Sequence, residues 1–98
     1  MSGHRIMVDL KPNTYRGEEW AVYALHVLRH IEQYTVPQYG DGPSDPVQKW
    51  TLEDCKRSLE RYVNRMCRGQ RGKDEAMRDM LKVGHYGCIA HAKMMEDE

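Results

Sequence analysis

Phenylalanine is absent from these 98 residues, and aromatics make up only 8 % of them, two Trp and six Tyr. Seven Met supply the flexible apolar bulk that fills irregular gaps between helices, a mixture that suits a helical core better than a sheet core. No stretch approaches the ~18 apolar residues of a membrane span, and the opening "MSGHRIMVDLKPN" lacks the hydrophobic run of a secretory signal. The three cysteines, Cys55, Cys67 and Cys88, are odd in number, widely spaced and without a C-x-x-C pair. That pattern excludes a disulfide framework and predicts reduced thiols in a cytoplasmic protein.

Catalytic signatures are missing too. There is no H-E-x-x-H and no G-x-x-x-x-G-K-[ST] phosphate loop. Helical pyrophosphohydrolases hold magnesium through facing E-x-x-E and E-x-x-D pairs, because the ion needs several oxygens. Glu18, Glu19 and Glu32 do not form such a pair, and Glu75 with Asp79 is a lone i, i+4 set. His26 and His30 are also i, i+4, while His85, Cys88 and His91 fan over about 120° of a helix and do not converge on one point as zinc ligands must. The reading is no metal, no cofactor and no recognisable catalytic set, with His85 and Cys88 as core residues.

What is present is helical periodicity. A chain of this length makes one domain, burying roughly 60 % of its unfolded surface. Trp20, Tyr23, Ala24, Val27, Leu28, Ile31 and Tyr34 share one stripe and predict a first helix over 15–34, capped by Asn13 or Thr14. Val22 and Leu25 fall on the opposite face beside Arg29, so the N-terminal segment, the connector or a second subunit is expected to cover them. Thr51 with Asp54 reads as a capping box, with Trp50 placed as a staple on Cys55. Leu52, Cys55, Leu59, Tyr62, Val63 and Met66 predict the core stripe of a second helix, 51–68, stopped by the glycines of "RGQRGK".

A third helix, 74–95, carries two apolar faces: Met77, Leu81, Gly84, Cys88, Ala92 and Met95 on one, Ala76, Met80, Val83, Gly87, Ala90 and Met94 on the other. Such a helix is sandwiched in the domain or lies at an oligomer contact. Gly84 and Gly87 each cost about 1 kcal/mol of helix propensity, which predicts close approach of a neighbouring helix or a kink. "HRIMVDL" is expected to be extended and packed on a helix.

Between the first two helices, "YTVPQYGDGPSDPVQKW" is longer than the roughly 12–15 residues at which unstructured connections become functional or disordered. Its apolar positions Tyr34, Val36, Tyr39, Val47 and Trp50 predict a packed loop, either a structural wrap over the end of the core or a lid or partner-binding loop.

Net charge is zero but uneven. Residues 56–73 hold seven basic groups against one acid, a local balance of +6, whereas residues 1–50 hold five against six. Arg57, Arg61, Arg65 and Arg68 project within about 80° of one another on the second helix, with Arg71 and Lys73 following in the turn. Like charges at i, i+4 weaken a helix slightly, so helix stability alone would not select them. A guanidinium suits phosphate because it bonds bidentately. The stripe is a candidate contact for nucleic acid or a nucleotide, against a solvated basic face or a surface for an acidic protein.

From Leu59 to Tyr86 the chain resembles a family of small phage- and prophage-encoded domains often labelled nucleotide-kinase-like. The shared elements are "RYVNR" at Arg61 to Arg65, "RGQRGK" at Arg68 to Lys73 and "DMLKVGHY" at Asp79 to Tyr86. The resemblance implies a helix–turn–helix hairpin and a phage or prophage setting, with Tyr62, Arg65, Asp79, Lys82 and Tyr86 as motif positions. Kinase activity is not carried over, since the phosphate loop is missing. Asp79 is expected either to meet the arginine side of the hairpin at a ligand or to pair with an arginine and lock the hairpin angle.

The sequence therefore predicts an all-α single domain: a three-helix bundle whose second and third helices form an antiparallel hairpin, crossed by the first beneath the proline-rich loop. Two functions are compatible with it. One is a phage-type accessory protein binding nucleic acid or a nucleotide. The other is a protein-interaction module or homodimer without enzymatic activity, supported by the second apolar face of the third helix and by Val22 and Leu25.

Overall fold

The computed structural model describes residues 9–42, 46–66 and 72–96, and these are all-α, with no strand among them. The segment "HRIMV" (residues 4–8), Cys67, Arg68 and Arg71 lie outside the described residues. No helix of the described residues is long and apolar enough to cross a membrane.

Helix α1 spans Tyr15–His30 and opens on Thr14, whose Oγ1 accepts the Gly17 N–H at 2.9 Å. The expected stop near residue 34 is overturned: a π-helical turn, Ile31–Thr35, carries the chain into a short helix α2, Val36–Tyr39. Pro37 explains the widened turn. It has no N–H to donate and its ring crowds the carbonyl four residues back, so the helix opens to five-residue spacing, with the Val36 N–H bonding the Ile31 carbonyl. Gly40, at φ 93°, then ends the rod in a conformation a side chain would oppose.

A 3₁₀ turn, Pro46–Lys49, leads to Trp50, and α3 runs Leu52–Arg65. The capping box forms as expected: the Thr51 N–H donates to Asp54 Oδ2 at 2.8 Å and the Asp54 N–H to Thr51 Oγ1 at 3.2 Å. Helix α3 ends at Arg65 rather than near Arg68. Helix α4 spans Lys73–Glu96. It is the middle element, packed against α3 as a hairpin and against α1 on another side.

The hairpin is rotated from the expected register. The residues α3 buries are Cys55 and Tyr62, both of the expected core stripe, and Ser58, with Arg65 half-buried beside them. This face is turned by roughly 70° from the aliphatic stripe at 100° per residue, leaving Leu52, Val63 and Met66 exposed. On α4 the buried residue is Asp79, 2 % accessible, flanked by half-buried Lys82, Val83 and Tyr86, while Met77, Cys88 and Met95 of the expected core stripe are exposed. Stacked tyrosines drive the difference. Each ring brings on the order of 150–250 Å² of apolar area, which outweighs a Val or Met stripe, and the planar stack fixes the angle at which the helices meet.

The two helical glycines divide. A Cβ on Gly84 would stand 2.5 Å from Tyr23 Oη and 3.0 Å from its ring, so the expected close approach is found there. The Tyr23 hydroxyl donates to the Met80 carbonyl, joining α1 to α4. Burial pushes this hydroxyl's pKa up, partly opposed by its bond to the Gly84 backbone. Gly87 has nothing within 4 Å of its would-be Cβ, which overturns the expectation of close approach at that position. Gly84→Ala should therefore destabilise by about 1–3 kcal/mol through overpacking, whereas Gly87→Ala should stabilise by up to about 1 kcal/mol through propensity alone. Urea denaturation reads both; a Gly84→Ala protein as stable as the parent or more so would show that α1 is not seated on Gly84.

Candidate nucleic-acid or nucleotide groove

The connector, α3 and α4 enclose a groove of about 690 Å³, within the size range of small-ligand sites. Its aromatic wall begins at Trp50. The 3₁₀ turn holds this residue through a bond from the Trp50 N–H to the Val47 carbonyl at 3.1 Å, and its ring stacks on Tyr86 with centroids 5.4 Å apart and planes 11° from parallel. Tyr86 stacks in turn on Tyr62, at 5.7 Å and 9°. Trp50 thus packs across the helix pair, against Tyr86 of α4. Tyr39 and Asp41 of the connector and His85 and Ile89 of α4 also line the groove. The long connector therefore shapes a concavity.

The basic stripe reaches this groove only in part. Arg57 and Arg61 line it; Arg65 and Lys73 are not among the lining residues, and Arg68 and Arg71 lie outside the described residues. Arg57 Nη2 is bound to Asp54 Oδ1 at 2.7 Å. The Asp54 carboxyl is held below the usual carboxylate range, first by the Thr51 backbone N–H, then by the Thr51 hydroxyl and Arg57. Arg57 is thereby partly neutralised. Arg61 has no carboxylate partner among the described residues: its Nη2 lies 3.4 Å from the Tyr62 hydroxyl and its guanidinium carbon 5.0 Å from the Tyr62 ring centre.

The hairpin motif residues come together around Tyr62, which lines the groove with Tyr86. Arg65 Nε stands 3.6 Å from Asp79 Oδ2, an ion pair longer than a hydrogen bond, and its guanidinium carbon is 4.9 Å from the Tyr62 ring centre. Lys82 Nζ lies 5.1 Å from the same ring. One buried tyrosine thus gathers Arg61, Arg65 and Lys82, each within cation–π range. Asp79 pairs with an arginine across the hairpin, the contact the locking alternative calls for.

Two titrations follow from this packing. The Tyr86 hydroxyl is pushed up to about 12, first by burial and then by the charge and hydrogen bond of Tyr62, with Arg61 pulling the other way. His30, stacked on Tyr34 at 5.1 Å, is held below the ordinary histidine value by burial, then by Lys82, His85 and Arg78. Its charged form is thereby disfavoured. Among the described residues no group of three or more His, Cys, Asp or Glu is placed to hold a metal ion.

The contributions of Tyr39, His85 and Ile89 to the groove were not foreseen. The available signal was the aromatic at each end of the connector, which marks a packed segment without saying which helices it faces. No family model, curated protein or solved structure matches the chain.

Proposed function

We propose that the protein binds a phosphate-bearing nucleobase ligand, a nucleotide or a short single strand, in the groove beside Trp50. The observation that carries this reading is the ladder of near-parallel rings, Trp50 on Tyr86 on Tyr62, lining a concavity that also presents Arg61. Flat aromatic side chains accept any base by stacking, at about 1–3 kcal/mol per base, and a guanidinium beside them takes the backbone or terminal phosphate. The groove accommodates an unpaired base, and its lining includes two aspartates, Asp41 and Asp54, beside its two arginines. That balance favours stacking with one anchored phosphate over a charge-driven duplex surface. The resemblance of the hairpin to phage- and prophage-encoded domains supports a phage or prophage setting, with no reaction assigned.

Trp20 also fluoresces, so the test uses a Trp20→Phe background and follows Trp50 emission while adenosine and guanosine monophosphates, a poly-dT oligonucleotide and a duplex of equal length are titrated at low salt. Quenching by a mononucleotide or by the single strand supports the reading, and the more tightly bound of the two names the ligand. Arg61→Ala should weaken that binding at least about tenfold, the loss of one charge-assisted contact. No quenching by any of the four, or duplex binding that ignores Trp50 and Arg61, rejects it.

A further inference from the structure

We propose that α1 is the contact of a symmetric dimer with a second copy of this chain. Glu18, Val22, Leu25 and Arg29 follow one another at spacings of four, three and four, so they share a strip about 60° wide along the helix. The strip lies away from α4: Val22 is 57 % and Leu25 45 % accessible, and Glu18 and Arg29 are exposed. Neither Glu18 nor Arg29 has an ion-pair partner among the described residues.

The order of charges selects the occupant. Let two copies of α1 run antiparallel about a twofold axis passing between Tyr23 and Ala24. Val22 then faces Leu25 of the second copy, and Glu18 faces Arg29, each pair occurring twice by symmetry. A parallel pair would set Glu18 against Glu18 and Arg29 against Arg29. Leu28, also exposed, widens the apolar strip on one shoulder. The chain's zero net charge sets up no long-range repulsion between copies. Two apolar residues at the centre with self-complementary charges at both ends are what an isologous helix contact requires. A single four-turn helix buries little area, which places the dimer among weak, transient interfaces. None of these four residues lines the groove, so the dimer and ligand binding are separable.

Sedimentation equilibrium from low-micromolar to near-millimolar protein tests the proposal, with circular dichroism confirming that each variant is folded. A monomer–dimer equilibrium is expected. Leu25→Glu and Arg29→Glu should each raise its dissociation constant at least about tenfold. The double variant Glu18→Arg/Arg29→Glu restores opposite charges across the axis and should return association to near the starting value. A strict monomer over the whole range overturns the proposal. So does a dimer indifferent to both single substitutions, or a charge-swapped variant as weak as Arg29→Glu.

Discussion

Tyr62→Ala is expected to remove about 3–5 kcal/mol of folding stability, the usual loss for deleting a buried aromatic ring. Domains of this size hold about 5–15 kcal/mol in total, so the loss is a large share of the whole and brings a domain at the low end of that range to its unfolding threshold. The ring is 8 % accessible and is the point where the hairpin closes. Tyr86 lies along one face and the side chains of Arg61, Arg65 and Lys82 surround it. Truncation removes the dispersion contacts of the stack and leaves three cations without the ring's negative faces. Tyr62→Phe separates these effects. It keeps the ring and loses only the hydroxyl, so its cost should be near 1 kcal/mol. Because the Tyr62 hydroxyl helps raise Tyr86, the phenol that titrates near 12 should move down toward 10 in this variant, though not all the way, since burial is the larger cause. Urea denaturation gives the stabilities and absorbance at 295 nm the ionisation. A Tyr62→Ala protein within 1 kcal/mol of the parent would show that the hairpin is held elsewhere.

That the core centres on Tyr62 marks where the sequence stops being legible. The helical class could be read because its signals are local. Periodicity and the Thr51–Asp54 capping box each act within four residues, and their physics does not depend on the rest of the chain. The π-turn at Ile31–Thr35 is local as well, but it arises from a conflict between Pro37 and a helix that tertiary packing continues, and periodicity registers only the stop. Helix rotation is different in kind. An aliphatic stripe counts Leu52, Val63 and Met66 as buried and Arg65 and Asp79 as exposed, yet the first three are exposed, Asp79 is buried and Arg65 half-buried, because an arginine stem covers apolar surface while its head finds a carboxylate. Such compensation exists only between helices. The groove follows the same rule. Arg57 and Arg61 share a helix face from spacing alone, but that Arg57 is occupied by Asp54, and that Trp50 turns to Tyr86, depend on the capping geometry and the connector's path.

Replacing Asp79 by Ala should cost about 3 kcal/mol, the low end of what breaking a buried ion pair removes. The low end applies because the Arg65 side chain is one-third accessible and can turn its guanidinium to water once the carboxylate is gone, while the Asp79 side chain, 3 % accessible, leaves a cavity that α3 and α4 cannot close without moving the Tyr62–Tyr86 stack. A pair of this kind has a second signature. Desolvating two charges consumes most of their attraction, so exchanging both for apolar groups of similar volume is often neutral or favourable. Arg65→Met/Asp79→Leu should therefore be more stable than Asp79→Ala, and the coupling between the two positions should fall within about 1–3 kcal/mol. Thermal and urea unfolding of Arg65→Met, Asp79→Leu and the double complete the cycle. If the double is as damaged as the sum of the singles, Arg65 and Asp79 stabilise the hairpin independently, and the motif's lock lies in the aromatic stack rather than in the charge pair.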